Sequence, residues 1–124
     1  MTANFTPGCR SAIISDFYRP GPVNASLAIE LAMALILARD ITTNAFARSH
    51  PHGLPRGFVE IIAGPTSWSV DCRSAHFAIQ LACKFLDERS AAGIDRTRAR
   101  ANLYHLSAAV IDANLHALIE ERCA

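Results

Sequence analysis

The sequence predicts an α+β fold: a small antiparallel sheet, built from a hairpin and one N-terminal strand, packed against three helices in the order β-α-β-β-α-α. Three observations carry this. Leu27 to Ala38 reads LAIELAMALILA, with Glu30 its only charge. A helix apolar all round has no face suited to water and needs cover on several sides. Phe58 to Cys72 reads FVEIIAGPTSWSVDC, two β-rich runs about a turn. Two later segments repeat apolar residues at helical spacing. Strands and helices do not alternate regularly, which favours a sheet with helices on one face.

Taken in order, residues 1–10 read as a loose arm with a turn at Pro7-Gly8. Ala12 to Tyr18 is short, rich in β-formers and stopped by Arg19-Pro20-Gly21-Pro22, so it reads as a strand. Asn24 or Ser26 can cap the first helix by accepting a bond from a free backbone N–H. That helix is expected to run to about Ser49, where His50-Pro51-His52-Gly53 ends it. Phe58 to Ala63 and Trp68 to Cys72 form the hairpin, with Gly64 to Ser67 as its turn. Trp68, Val70 and Cys72 alternate with Ser69 and Asp71, the period of a half-buried strand. Trp68, the only tryptophan, reads as either a core anchor or a binding hot spot, and its alternation with Ser69 favours the core.

Ser74 is the expected cap of a second helix, Ala75 to Ala91, whose core face is Phe77, Ala78, Leu81, Ala82 and Phe85. Gly93 suits the left-handed residue that follows a helix. Asp95 caps a third helix reaching about Arg122. Its stripe is Leu103, Leu106, Val110, Ala113 and Ala117, widened by Ile111, Leu115 and Leu118.

The 124 residues fit one globular domain able to bury a core without staples. Net charge is +1, so no global pull toward nucleic acid or membrane is expected. Lys84 is the only lysine, and coding bias accounts for the surplus of arginine. The Leu27–Ala38 run is too short to span a bilayer, which needs roughly 20 apolar residues. The N-terminus lacks a signal-peptide pattern, and Cys9, Cys72, Cys83 and Cys123 form no C-x-x-C pair. A cytoplasmic protein with free thiols is the expectation.

No stretch carries a catalytic, nucleotide-binding or metal-binding signature. Cys72, His76 and Cys83 are the nearest to a zinc set. Their spacing is irregular, and a fourth ligand would have to come from His50 or His52, so no metal or other cofactor is expected. Asp112 and His116 share a helix face, with His105 two turns away, and read as surface residues because no nucleophile accompanies them. Arg96, Arg98 and Arg100 open the third helix, where the helix dipole already disfavours positive charge. That penalty points to an anionic partner, the alternatives being a solvated face or pairing with Asp87 and Glu88 across the turn.

The expected function is therefore a small non-enzymatic module that binds a protein or protein complex through a sheet edge or a helix face. Arg96, Arg98, Arg100 and Arg56 are its candidate contacts. Small phage and mobile-element proteins that block a host complex, anti-CRISPR-type inhibitors among them, share this compact, motif-free profile. A nucleic-acid-binding domain using the arginine cluster is one alternative, and a small enzyme with a histidine acid or base is another. The first helix, if not covered within the chain, would supply a homodimer interface.

Overall fold

The computed structural model describes residues 10–14, 22–50, 53–88 and 93–123. The elements are β1 (Arg10–Ile14), α1 (Pro22–Leu37), β2 (Thr42–His50), β3 (Gly53–Ala63), β4 (Thr66–Asp71), α2 (Cys72–Glu88) and α3 (Arg96–Cys123). The class is α+β. The hairpin is β3–β4, joined by Gly64-Pro65 alone. Gly64 has φ of 59°, and Pro65 holds the next residue at negative φ, the combination of a type II′ turn. Across it Ala63 pairs with Thr66, Ile61 with Trp68 and Val59 with Val70.

The sheet differs from the expected one in two ways. It has four strands, in the order β1-β4-β3-β2, and β1 runs parallel to β4, with Ala12 opposite Trp68. The additional strand is β2. The first helix stops at Leu37 instead of continuing to Ser49, and Thr42 to His50 pairs antiparallel with β3, Ala45 facing Val59 and Phe46 facing Phe58. Ile41, Thr42 and Thr43 are β-branched and Asn44 is a poor helix former, so little local preference opposes the change. β3 also starts earlier than expected, at Gly53. Pro55, which cannot donate to a ladder, falls where the register shifts between Arg48 and His50.

The stop of α1 is made by a residue far along the chain. Asn102 of α3 is buried, and its Nδ2 donates to the carbonyls of Leu35 and Ala38, each at 3.1 Å. These are among the last carbonyls of α1, which a helix end leaves without partners. No glycine cap is needed when one side-chain amide satisfies two of them.

Helices cover one face of the sheet. α3 lies along β2 and β3, while α1 and α2 pack on each other and on α3. Val59, Ile61, Trp68 and Val70 meet Leu31, Leu35, Ala78, Ala82 and Leu106 in one cluster. The apolar run of α1 is thus buried along Ala28, Leu31, Ala32, Leu35 and Ile36, but Ile29 and Leu37 stay exposed. Trp68 is a core anchor, 2% exposed. On the other face Phe46 stacks on Phe58, centroids 5.6 Å apart, and the Arg48 guanidinium lies 5.7 Å from the Phe58 ring.

Asp95 caps α3, its carboxylate accepting from Arg98 N at 3.2 Å. The cap of α2 is Asp71, the last residue of β4, and not Ser74: Asp71 Oδ1 accepts from Ser74 N at 2.7 Å. Ser74 itself is buried inside the helix. The expected strand over residues 15–18, the arm before Arg10 and the expected helix end at 89–91 lie outside the described residues.

If Asn102 ends α1, then Asn102→Ala leaves two carbonyls without donors and lowers unfolding free energy by about 2–3 kcal/mol. Chemical denaturation measures this, and a loss below about 0.5 kcal/mol would show that the carbonyls are satisfied otherwise.

Candidate functional site

The four arginines singled out by sequence do not form one patch. Arg96, Arg98 and Arg100 occupy the first turns of α3, where Arg98 Nε lies 3.8 Å from Asp95 Oδ2. Arg56 sits on β3 next to Gly57, whose Cα faces the other half of α3. A Cβ on Gly57 would stand 2.6 Å from the Ala113 carbonyl oxygen and 2.9 Å from Cys72 Sγ, so only glycine allows β3 and α3 to approach this closely. Arg100 and Asn114, which borders Arg56, are about 21 Å apart along the helix. The Arg56 guanidinium lies 3.8 Å from Asp71 Oδ2, a buried oxygen with no hydrogen-bond partner. Arg56 therefore offsets a buried carboxylate, a role its sequence position did not show.

Cys72, Arg73 and Asn114 border two adjoining depressions where β4 turns into α2, and Asp71 lines the smaller one. The larger, about 460 Å³, runs between α2 and α3 past His76 and Gln80, and the smaller, about 230 Å³, lies beside Arg56. Burial, and then the neighbouring Asp71 charge, push the Cys72 thiol up to about 11. It is protonated at neutral pH and donates to the Val110 carbonyl, Sγ to O 3.7 Å. A thiol held in this state is a poor nucleophile and a poor metal ligand. His76 is in contact with Gln80, ring nitrogen to Nε2 3.3 Å. Cys83 opens into a different groove, beside Arg100 and Tyr104. Cys72, His76 and Cys83 are thus not brought together, and among the described residues no three His, Cys, Asp or Glu side chains converge as a metal would need.

The third place is the one the sequence did not reveal. β2 is the last strand of the sheet, and its outer edge has no strand partner among the described residues. A groove of about 630 Å³ runs between that edge and the flank of α3. Thr43, Asn44 and Ala45 form the strand side, and His105, Ala108 and Asp112 are on the helix side, with His116 beyond them. His116 Nε2 is 3.7 Å from Asp112 Oδ2. Ser49 Oγ donates to the Glu120 carboxylate, tying the end of β2 to α3. The three polar residues read from sequence as an ordinary helix surface therefore line a strand edge. Their position was hidden because Thr42 to Ser49 carried no clear strand signal.

No known family model matches this chain, and no curated protein and no solved structure shows significant similarity to it. Among the described residues no helix is long and apolar enough to cross a membrane.

The Cys72 thiol carries a pH signature. Its folded pKa, about 11, exceeds the ordinary value of 9.0. Between these values the unfolded chain releases the proton and the folded chain keeps it, so stability falls as pH rises through that window and is unaffected below it. Denaturation at pH 7 to 11 tests this: Cys72→Ala should remove part of the alkaline loss. In the native protein, alkylation should reach the exposed Cys83 and Cys123 first, and equal rates at Cys72 would contradict its burial.

Proposed function

We propose that this chain is a macromolecule-binding module that accepts an extended segment of a partner protein as an added strand on the outer edge of β2. One observation carries the reading: β2 is a nine-residue edge strand, and its Thr43, Asn44 and Ala45 border a groove whose other wall is the flank of α3. An edge strand presents unpaired N–H and C=O groups, and a peptide laid along it gains main-chain hydrogen bonds while alternate side chains supply selectivity. Ala108 and Ala109 are small, which lets a peptide backbone come close to the helix. His105, Asp112 and His116 give that wall donors and acceptors for the side chains of the segment.

The narrower form of the proposal, an inhibitor of a host complex of the anti-CRISPR kind, draws its support from size and class. Arg96, Arg98 and Arg100 would add a second contact on the same helix for an acidic partner, and a cytoplasmic setting suits free thiols. The nucleic-acid reading gains less. The sheet face opposite the helices carries Phe46, Phe58 and Arg48, the residue types that hold single strands, yet Phe58 is 4% exposed and has no ring free to stack on a base. For the enzyme reading, His76 and His105 each line a groove, but the thiol beside His76 is protonated.

Selection of displayed random peptides against the immobilised protein tests the strand-addition reading. Enriched peptides should bind the wild-type chain and lose at least about tenfold in affinity against Thr43→Arg, which fills the groove from the strand side. Circular dichroism should show both proteins equally folded. Enrichment of nothing, or of peptides indifferent to Thr43→Arg, would remove the proposal. Salt-sensitive binding of labelled DNA or RNA that is lost on reversing Arg96, Arg98 and Arg100 would install the nucleic-acid reading in its place.

A further inference from the structure

α3 is apolar on two sides. Ala99, Leu103, Leu106 and Ala113 are buried against the rest of the protein. On the opposite side Tyr104, Ile111, Leu115 and Leu118 are 77%, 64%, 52% and 47% exposed. The second row does not widen the first, as its sequence position implied. Together with Ala101 and Ala108 it falls at positions 101, 104, 108, 111, 115 and 118, a strict alternation of three and four. That is the seam of a coiled coil, in which a second helix inserts its side chains between those of the first.

The charges on α3 select the second helix. Arg96, Arg98 and Arg100 lie at the positive end of the helix dipole; at the negative end stand Glu121, Arg122 and Glu120, the last held by Ser49. The arginines of the first turns and Glu121 are unfavourably placed in an isolated helix. An antiparallel copy of α3 corrects both. With the two-fold axis between Ala109 and Val110, Ala101 meets Leu118 of the second copy, Tyr104 meets Leu115 and Ala108 meets Ile111. Small residues face large ones in two of these three layers, and every layer occurs twice by symmetry. The same register sets Arg100 beside Glu121 and His105 beside Asp112 at the flanking positions. A parallel pairing would instead bring the arginines of the two copies together.

We propose that α3 pairs antiparallel with α3 of a second copy through this seam, giving a two-fold homodimer. This surface adjoins the β2 groove, and Ala108, His105 and Asp112 border both. Ile111 and Leu115 do not line the groove, so changing them tests the dimer without touching the strand-addition site.

Sedimentation velocity over a wide range of concentration tests the pairing. The wild-type chain should move toward twice its 13.4 kDa mass, while Ile111→Asp with Leu115→Asp, both at exposed positions, stays monomeric and folded. Arg100→Glu should weaken association by about tenfold, and Arg100→Glu combined with Glu121→Arg should restore it. Orientation is read by disulfide trapping with Cys9, Cys83 and Cys123 changed to serine. Ala101→Cys and Leu118→Cys should cross-link when mixed and not when each is oxidised alone. A wild-type chain that stays monomeric overturns the pairing, and cross-linking of Ala101→Cys with itself overturns its antiparallel sense.

Discussion

One buried amide organises this fold. Asn102, two turns into α3, holds the carbonyls of Leu35 and Ala38 and so fixes where α1 ends. Everything downstream depends on that end point. Because α1 stops at Leu37, Thr42 to His50 is free to pair with β3. Because β2 exists, the sheet extends under α3, and its outer edge faces the helix flank. A longer first helix would leave β3 as the edge and remove the groove. The amide also ties α1 to α3 directly, so the two helices and the sheet are positioned by one group with its donors in use. In a buried setting such a group is stabilising only when satisfied, which makes it a specifying contact as well as a stabilising one.

A second constraint acts at the other end of the sheet. β4 runs into α2 with no intervening loop, and Asp71 serves as both the last strand residue and the helix cap. Its buried carboxylate is offset by Arg56 from the neighbouring strand. Gly57 and Ala113 are in close approach just beside it. This corner contains much of what looks chemically active in the chain: a thiol, a histidine, a carboxylate and two arginines. Each member for which a partner is seen spends its polar groups on structure. The thiol donates to a carbonyl, the carboxylate caps a helix and the Arg56 guanidinium offsets that carboxylate. The surfaces proposed for interaction lie elsewhere, on the flank and outer side of α3.

Local signals made much of the fold legible in the sequence. Gly64-Pro65 between two β-rich runs gives the hairpin, and the alternation of Trp68 and Val70 with Ser69 places the buried face. Asp95 marks the start of α3 because a short acidic side chain before a helical run has one favourable use there. The end of α1 was not legible. No glycine or proline interrupts the chain from Leu27 to His50, and the residue that stops the helix is more than sixty positions away. β2 was hidden because alanines at 45 and 47 blur its alternation. The two rows on α3 merged into one broad stripe because spacings of 3.5 and 3.6 barely diverge over so few turns. The separation of Arg56 from Arg96, Arg98 and Arg100 needed the length of α3 and its direction across the sheet, which no local pattern states.

Thr42 to Ser49 is a strand whose outer edge has no strand partner among the described residues. Residue-resolved amide hydrogen exchange by NMR in the isolated protein addresses it directly. Amides that point to β3 should exchange slowly, and the alternate ones, which point into the groove, should exchange fast. That two-residue pattern is the expected result, since a strand directs successive N–H groups to opposite sides. Uniform protection through Thr42 to Ser49 would mean a helix or a covered edge, and uniform rapid exchange would mean no strand. Either result would contradict the account.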